Sequence, residues 1–195
     1  MEVWTQPHLF KLDAECKPRY IAGVPPDNFS PTGQLWGNPI YDWDKHKAEN
    51  YAWWVFRIQE SFKLFDCLRI DHFKGFSDFW EIPAGDETAE NGKWVPGPGY
   101  DLLQRWLKKS WVIFKIIAED LGNIDDKTRK LLADCGYPGM KILHFGFYDT
   151  TGNSIYVPHA YTQHSVAYTG THDNEVTNGW YNNLTQEQRD YTDAY

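Results

Sequence analysis

The stretch Cys67-Leu68-Arg69-Ile70-Asp71-His72 decides the fold, because it has the pattern of a short buried β-strand that ends in charged residues. Side chains alternate between the two faces of a strand, so Arg69 and Asp71 point one way while Leu68 and Ile70 point the other. The Arg69 cation favours an ionised Asp71 carboxylate, which is the state that a nucleophile needs. The alternative is an ion pair that only fixes the end of the strand.

Two later segments have the same design, an apolar run that ends in acids. They are Lys115-Ile116-Ile117-Ala118-Glu119-Asp120-Leu121-Gly122 and Val166-Ala167-Tyr168-Thr169-Gly170-Thr171-His172-Asp173-Asn174. The spacing from Asp71 to Glu119 and on to Asp173 leaves room for one or two strand-plus-helix units each time. In a β/α barrel the catalytic groups lie at the carboxyl ends of several different strands. The sequence therefore predicts that the three acids converge.

Length and charge limit the class of protein and its partners. The chain has 195 residues, and we predict a single domain over residues 1–195. The formal net charge of −8 argues against a nucleic acid or an anionic membrane as partner. The three cysteines form no paired motif, and the sequence has neither a signal-peptide pattern nor an apolar run that could span a bilayer. These features predict a soluble, cytoplasmic protein.

Aromatic residues are unusually frequent. The sequence contains 10 Trp, 12 Tyr and 11 Phe, which together make up 17% of the chain. Many such rings belong to cores, but flat rings with a polar tip also stack on the faces of sugars. The composition therefore leaves two interpretations open, a core rich in rings or a carbohydrate site.

Hydrophobic periodicity gives a coarse order of elements. Besides the three strands that carry acids, residues 19–24 and 140–147 have strand character. Residues 27–38 form a long loop, of a length that is usually functional or disordered. The other predicted segments are a helix over 44–65 with Asp44 as N-cap, a short helix over 73–81, a polar excursion over 84–99, helices over 100–109 and 125–135, a polar loop over 149–163 and a helix from 185.

About five strands are predicted in all, without an internal repeat. A β/α barrel needs eight strands and typically about 250 residues. This chain is too short to close such a barrel. Either the sheet is open, or the chain is the middle of a longer protein.

Six long and unusual motifs follow one another along the chain. They are Ala22-Gly23-Val24-Pro25-Pro26-Asp27, Gly33-Gln34-Leu35-Trp36-Gly37-Asn38-Pro39, Arg69-Ile70-Asp71-His72-Phe73, Ile117-Ala118-Glu119-Asp120-Leu121-Gly122, Pro138-Gly139-Met140-Lys141 and Tyr168-Thr169-Gly170-Thr171-His172-Asp173-Asn174. In sequence and in order they resemble the motifs of the amylomaltases, the 4-α-glucanotransferases of the α-amylase clan. The resemblance runs from about residue 4 to residue 181.

The resemblance implies an α/β fold, a partial TIM-type (β/α)8 barrel that holds about strands 3 to 7, with inserted loops and subdomains. It implies Asp71 as nucleophile, Glu119 as acid/base and Asp173 as the carboxylate that stabilises the transition state. The loop over 27–38 would overhang the cleft and contact bound glucan. The substrate-binding residues that the resemblance implies are Arg69, His172, His72, Asp27, Asn38 and Trp36, the last as a stacking ring.

A retaining transfer between sugars needs an ionised carboxylate and a protonated one about 5 to 5.5 Å apart. Asp71, beside Arg69, fits the first role. Glu119 follows three apolar residues, and a less polar setting raises its pKa toward the role of acid. The alternative for Glu119 is a charge that caps the end of a strand. By strand alternation, Asp120 faces away from Glu119 and bonds to backbone or to a neighbouring helix.

Several features depart from the family or limit its chemistry. Lys74 stands where the family usually has arginine, and Ala160 follows His159 where asparagine is expected, which affects subsite contacts more than the reaction. Family members are about twice as long, so the first strands, the last strand and part of the cleft would be absent. No metal or cofactor is expected, because His144, His159 and His164 lack the spacing of metal ligands.

Three functional hypotheses remain. The chain is a 4-alpha-glucanotransferase, or a fragment of one, that moves α-1,4-glucan segments between maltooligosaccharides; or a hydrolase of the same clan; or an inactive glucan-binding piece. Transfer requires that a sugar hydroxyl react before water does, and the loop over 27–38 is the candidate lid that excludes water. The alternative for this loop is a linker between barrel and subdomain. The oligomeric state is left open.

Overall fold

The computed structural model describes residues 2–27, 30–109, 115–122 and 124–195, which form an α/β fold. The strands are β1 (Tyr20–Val24), β2 (Gln34–Pro39), β3 (Cys67–Ile70), β4 (Asp78–Pro83), β5 (Lys93–Pro96), β6 (Lys115–Ala118), β7 (Gly139–Ile142) and β8 (Ser165–Tyr168). The α-helices are α1 (Glu2–Thr5), α2 (Trp43–Ala48), α3 (Ala52–Ser61), α4 (Gly99–Lys109), α5 (Asp126–Cys135), α6 (Leu143–Gly146), α7 (Thr177–Asn183) and α8 (Gln186–Ala194). Short 3-10 helices cover Pro7–Leu9, Phe73–Phe76 and Pro158–Ala160.

Four strands form two parallel pairs that adjoin each other. β3 pairs with β6, with Ile70 opposite Ala118, and β7 pairs with β8, with Ile142 opposite Tyr168. The two pairs meet where Ala118 N donates to Pro138 O at 3.0 Å. The three strands that were predicted to carry acids are therefore present, in parallel pairs.

Asp120 ties β6 to β7 just beyond the end of β6. Its Oδ1 accepts a hydrogen bond from Met140 N at 2.7 Å, two residues further along both segments than the bond between Ala118 and Pro138. The two strands therefore run in the same direction. Gly139 makes room for this contact, because a Cβ there would overlap the Asp120 carboxylate. The predicted bond from Asp120 to backbone is confirmed.

A separate antiparallel sheet has the strand order β2-β1-β4-β5. Only β1 was predicted from the sequence. β2 lies in the predicted loop, β4 in the predicted helix over 73–81 and β5 in the predicted excursion over 84–99, so these three predictions are wrong in part. The aromatic spacing around β4 also fits a helix, but Trp80 pairs across the sheet with Trp94, at 5.3 Å between ring centroids. Such cross-strand aromatic pairs stabilise a strand.

The predicted helix over 44–65 is two helices, α2 and α3. Asn50 and Tyr51 separate them, and both have positive φ values, of 55° and 56°. A residue in this left-handed conformation cannot continue a right-handed helix. The N-cap of α2 is Asp42, whose carboxylate accepts a backbone N–H of the first turn, rather than the predicted Asp44.

The main core joins the helices to the β3–β6 pair. Its buried residues include Val55 and Ile58 of α3, Leu102 and Leu103 of α4 and Ile116 of β6. A smaller cluster packs α7 against the segment after α6. Within the described ranges, no helix is both long and apolar enough to cross a membrane.

Replacing Asp120 with alanine is expected to weaken the junction between β6 and β7. The Asp120→Ala change leaves Met140 N without its charged acceptor, which costs about 1–3 kcal/mol of the free energy of unfolding. Urea denaturation of the 195-residue chain measures this loss. Glu87→Ala, which removes an exposed carboxylate of the same charge, is the control, and an equal loss in both variants would contradict the role of Asp120.

Candidate active site

β3 ends in the ion pair that the sequence predicted. Arg69 Nη2 lies 2.8 Å from Asp71 Oδ1, and Arg69 Nε also donates to Met140 Sδ at 3.3 Å. The Asp71 side chain is 75% exposed, and Cys67 is exposed as well. The prediction of a buried strand is therefore wrong, because β3 is an edge strand in the described part of the chain. The result is an accessible carboxylate with a fixed cation beside it.

Glu119 follows β6 directly and is held by two backbone N–H groups. Its Oε2 accepts from His72 N at 2.7 Å, and its Oε1 accepts from Leu121 N at 2.8 Å. Burial raises the pKa of Glu119, the two N–H donors lower it and the nearby Asp71 charge raises it, so that the net shift is upward. This is the direction that the apolar residues before Glu119 predicted.

His72 connects Glu119 to the wall of a cleft. Its φ of 44° is left-handed, which is uncommon for a residue with a side chain, and in this conformation its N–H reaches Glu119. The His72 ring meets the Trp36 ring edge to face, with 4.9 Å between centroids. Burial lowers the pKa of His72, so the ring is neutral at neutral pH.

The cleft beside Asp71 and His72 is open and has a volume of about 350 Å³. Its wall combines aromatic rings from β2, β4, α2 and α3 with a few polar groups. The wall includes Trp36, Asn38, Tyr41, Trp43, Trp54 and Trp80. Stacked rings beside polar groups suit a sugar better than an ion.

Sequence reasoning missed several of these rings. The prediction of a single helix over 44–65 did not place Trp54 in a site, whereas in the two-helix arrangement of α2 and α3 both Trp43 and Trp54 line the cleft. Tyr41 donates to Glu2 Oε2 at 3.2 Å, and burial raises the pKa of Tyr41 to about 12. The density of tryptophan between positions 36 and 54 was the signal that could have identified this wall.

The predicted loop over 27–38 contributes to the cleft in part. Trp36 and Asn38 line it as predicted, although they do so from β2 rather than from a loop. Asp27 is not among the described residues of the cleft wall; its carboxylate accepts from Ser30 N at 2.8 Å within a turn. Positions 28 and 29 of the predicted loop lie outside the described residues.

Asp173 and His172 lie in an exposed turn after β8. Their side chains are 73% and 76% exposed, and His172 Nε2 lies 3.4 Å from Asp173 Oδ2. Asn174 Oδ1 fixes the turn by accepting from Thr171 N at 2.8 Å. Neither His172 nor Asp173 is among the described residues that line the cleft. Convergence of Asp173 with the other two acids therefore stays a prediction.

Together, these groups supply two carboxyl groups in different surroundings, which is what acid/base chemistry needs. An exposed carboxylate and a carboxyl with a raised pKa lie close enough to affect each other's charge, and such pairs mark the division between nucleophile and acid. In the chain as described, no three His, Cys, Asp or Glu side chains are grouped as metal ligands are.

Comparison with known proteins places this arrangement in a family. The family model described as 4-alpha-glucanotransferase matches residues 1–195. The chain belongs to this family. It is 51% identical over 195 residues to the 4-alpha-glucanotransferase of Streptococcus pneumoniae serotype 4. The alignment covers 100% of this chain and 38% of that protein. Against the 4-alpha-glucanotransferase of Aquifex aeolicus the identity is 48% over 188 residues, which covers 96% of this chain and 38% of that protein.

A solved structure supports the same membership. The amylomaltase from Streptococcus agalactiae in complex with acarbose has a TM-score of 0.95 and 58% sequence identity to the chain, and the match covers 100% of this chain and 39% of that one. The resemblance that the six motifs indicated is thus confirmed for the family and for the α/β fold. The chain spans about 38% of the length of these two 4-alpha-glucanotransferase relatives.

The raised pKa of Glu119 gives a pH dependence to the stability of the chain. The folded chain holds the Glu119 proton more tightly than the unfolded chain does, so protonation of Glu119 stabilises the fold. This contribution to the free energy of unfolding is fully present below the ordinary pKa of 4.5, and it is lost as the pH rises through the pKa of Glu119 in the folded chain. We expect Glu119→Gln to remove this decline in the free energy of unfolding with rising pH. Urea denaturation at a series of pH values measures it. Glu87→Gln is the control at an exposed site, and the same decline in Glu119→Gln as in the parent chain would contradict the assignment.

Proposed function

We propose that this chain is the central part of the catalytic domain of a 4-alpha-glucanotransferase, which transfers α-1,4-glucan segments between maltooligosaccharides with retention of configuration. The observation that carries the proposal is the joint placement of Asp71 and Glu119, with Glu119 bonded to the backbone of His72 beside an aromatic cleft. Membership of the 4-alpha-glucanotransferase family supports it.

The mechanism assigns different tasks to the two carboxyl groups. Asp71 attacks the anomeric carbon, while Glu119 gives its proton to the departing glycosidic oxygen, so that a glycosyl-enzyme forms and the leaving segment is released. Glu119 then takes a proton from the hydroxyl of an incoming sugar, which attacks the glycosyl-enzyme and frees Asp71. The raised pKa of Glu119 suits the first step, and the bond from Arg69 orients the nucleophile.

The remaining site residues are assigned to the substrate. Asp173 stabilises the positive charge of the transition state, with His172 beside it, and both turn toward the sugar in the complete enzyme. Arg69 and His72 contact the sugar next to the nucleophile. Asn38 and Trp36 contact further glucose units along the cleft, Asp27 contacts the glucan beyond the described cleft wall, and no cofactor takes part.

The architecture proposed for the whole enzyme is a TIM-type barrel. β3, β6, β7 and β8 supply consecutive parallel strands within the run from about the third to the seventh barrel strand, and residues 1–195 form part of one catalytic domain. The length of the relatives supports this, since the chain covers 38% of the S. pneumoniae protein. A cytoplasmic location fits the three free cysteines.

A chimera tests the proposed activity. Residues 1–195 replace the matching segment of the S. pneumoniae relative, and the purified protein is incubated with maltotriose. We expect glucose and oligomers longer than maltotriose, whereas a net gain of reducing ends would indicate a hydrolase. Asp71→Asn in the chimera should lower turnover by roughly 10⁴-fold, because a neutral amide cannot replace the carboxylate that attacks the anomeric carbon.

The controls of this experiment bear on the domain assignment. Glu87→Gln in the chimera should leave turnover unchanged. The 195-residue chain alone is expected to be inactive, and measurable turnover of maltotriose by it would contradict the partial-barrel proposal. A chimera that folds but makes no longer oligomers would contradict the proposed activity.

Trp36→Ala in the chimera tests the lid. The Trp36 ring is 44% exposed at the cleft, where it can stack on an acceptor sugar and exclude water. We expect the variant to lower the ratio of transfer to hydrolysis by a few-fold or more, as measured by chromatography of the products. Trp4→Ala, which removes an 87% exposed tryptophan away from the cleft, should leave the ratio unchanged, and an unchanged ratio in Trp36→Ala would refute the lid.

A further inference from the structure

The loop over 169–176 lies between β8 and α7 and carries His172 and Asp173. Its centre is held by its own hydrogen bonds. Asn174 Oδ1 accepts from Thr171 N at 2.8 Å, and Asp173 N donates to Thr171 Oγ1 at 3.3 Å. These bonds fix the shape of the turn, but the direction of the turn relative to β8 depends on contacts at the two ends of the loop.

One buried side chain, that of His144 in α6, contacts both ends of this loop. The residue is only 1% exposed. At the entry, a Cβ on Gly170 would lie 3.0 Å from His144 Cε1, so the ring packs directly against the backbone there. At the exit, His144 Nε2 lies 3.3 Å from Thr177 Oγ1, the hydroxyl of the first residue of α7. This distance is within the range of a hydrogen bond.

The His144 ring is itself held in place by α7. It stacks on the Trp180 ring, with 4.3 Å between centroids and 7° between the two planes. Among the residues that the structure describes, His144 Nδ1 has no hydrogen-bond partner. The stack therefore fixes the plane of the ring, and the contact with Thr177 fixes its rotation within that plane.

A second contact joins the exit of the loop to α7. Asn183 Nδ2 donates to the two carboxylate oxygens of Glu175, at 3.1 and 2.9 Å. This contact fixes residue 175 relative to the helix that follows the loop. The His144 ring adds the connection to the strand that precedes it, because the same ring touches Gly170 and Thr177.

We propose that His144 is a positioning residue for Asp173. By contacting Gly170 and Thr177, His144 holds the two ends of the loop over 169–176 together and so sets the direction of the Asp173 side chain. The inference rests on the proposed role of Asp173 in stabilising the transition state. His144 lies behind the loop and has no contact with the substrate in this assignment.

The effect of His144 is steric rather than electrostatic. Burial lowers the pKa of His144, so its ring is neutral at neutral pH. The Thr177 hydroxyl is neutral as well. Substitutions that keep both positions neutral therefore change the alignment of the loop without changing the charge around Asp173.

NMR relaxation of backbone 15N in the 195-residue chain tests this role, through the order parameters of the His172 and Asp173 amides. We expect values of about 0.85, typical of rigid backbone, in the parent chain, and values below about 0.6 in Thr177→Val, which removes the hydroxyl but keeps the shape of the side chain. Thr177→Ser keeps the hydroxyl and should keep the parent values. Thr162→Val, at an exposed threonine before β8, is the matched control.

A second variant removes the same hydrogen bond from its other side. His144→Phe keeps a flat ring against Trp180 but lacks Nε2, and it should lower the order parameters as Thr177→Val does. The double variant should be no more mobile than either single variant, because both changes remove one bond. Unchanged order parameters in Thr177→Val, or a loop that is already mobile in the parent chain, would overturn the proposal. If circular dichroism shows that His144→Phe does not fold, Thr177→Val decides alone.

Kinetics of the chimera connect the loop to the reaction. Thr177→Val should lower kcat about five- to tenfold and leave KM within about twofold, because Asp173 is assigned to the transition state rather than to binding of the ground state. Thr177→Ser should retain the parent kcat. A rise in KM at unchanged kcat would contradict the positioning of Asp173. An inactive chimera would remove the proposed function, whereas the NMR measurement would still decide whether His144 orders the loop.

Discussion

The bond between the Glu119 carboxylate and the backbone after β3 is the constraint on which the site depends. β3 and β6 pair along four residues, and Glu119 N donates to Ile70 O at 2.9 Å as the pairing ends. The side chain then continues the junction by accepting from His72 N. This contact adds a side-chain bond where the backbone pairing of the two strands ends. The same contact brings the two acids of the site together.

Under the proposed function, one side chain serves both the fold and the chemistry. Burial favours the protonated form of Glu119, while its two N–H donors favour the ionised form. An acid/base group needs access to both forms near the working pH, and opposing influences of this kind keep both within reach. The left-handed backbone of His72 contributes to this balance, because in that conformation its N–H is one of the two donors to Glu119. A backbone conformation that costs free energy is retained where the surrounding structure uses it.

The sequence predicted the acid-bearing strands because each is an apolar run that ends in charge, a local pattern. It did not predict β4, because the aromatic spacing there also fits a helix, or β5, because its pairing with β4 across residues 84–92 leaves no local pattern. The break at Tyr51 was hidden for a related reason: this residue is 2% exposed, and its burial continues the helical period across the break. The position of Asp173 relative to the cleft depends on a turn that local pattern does not fix.

The tryptophans of the cleft also give the chain an optical property. Trp36, Trp43, Trp54 and Trp80 line one cavity, and Trp36 is partly open to water. Indole emission shifts to shorter wavelength when water is displaced from around the ring. Occupancy of the cleft is thus coupled to the intrinsic fluorescence of the molecule, and a titration can be followed by light without any attached dye.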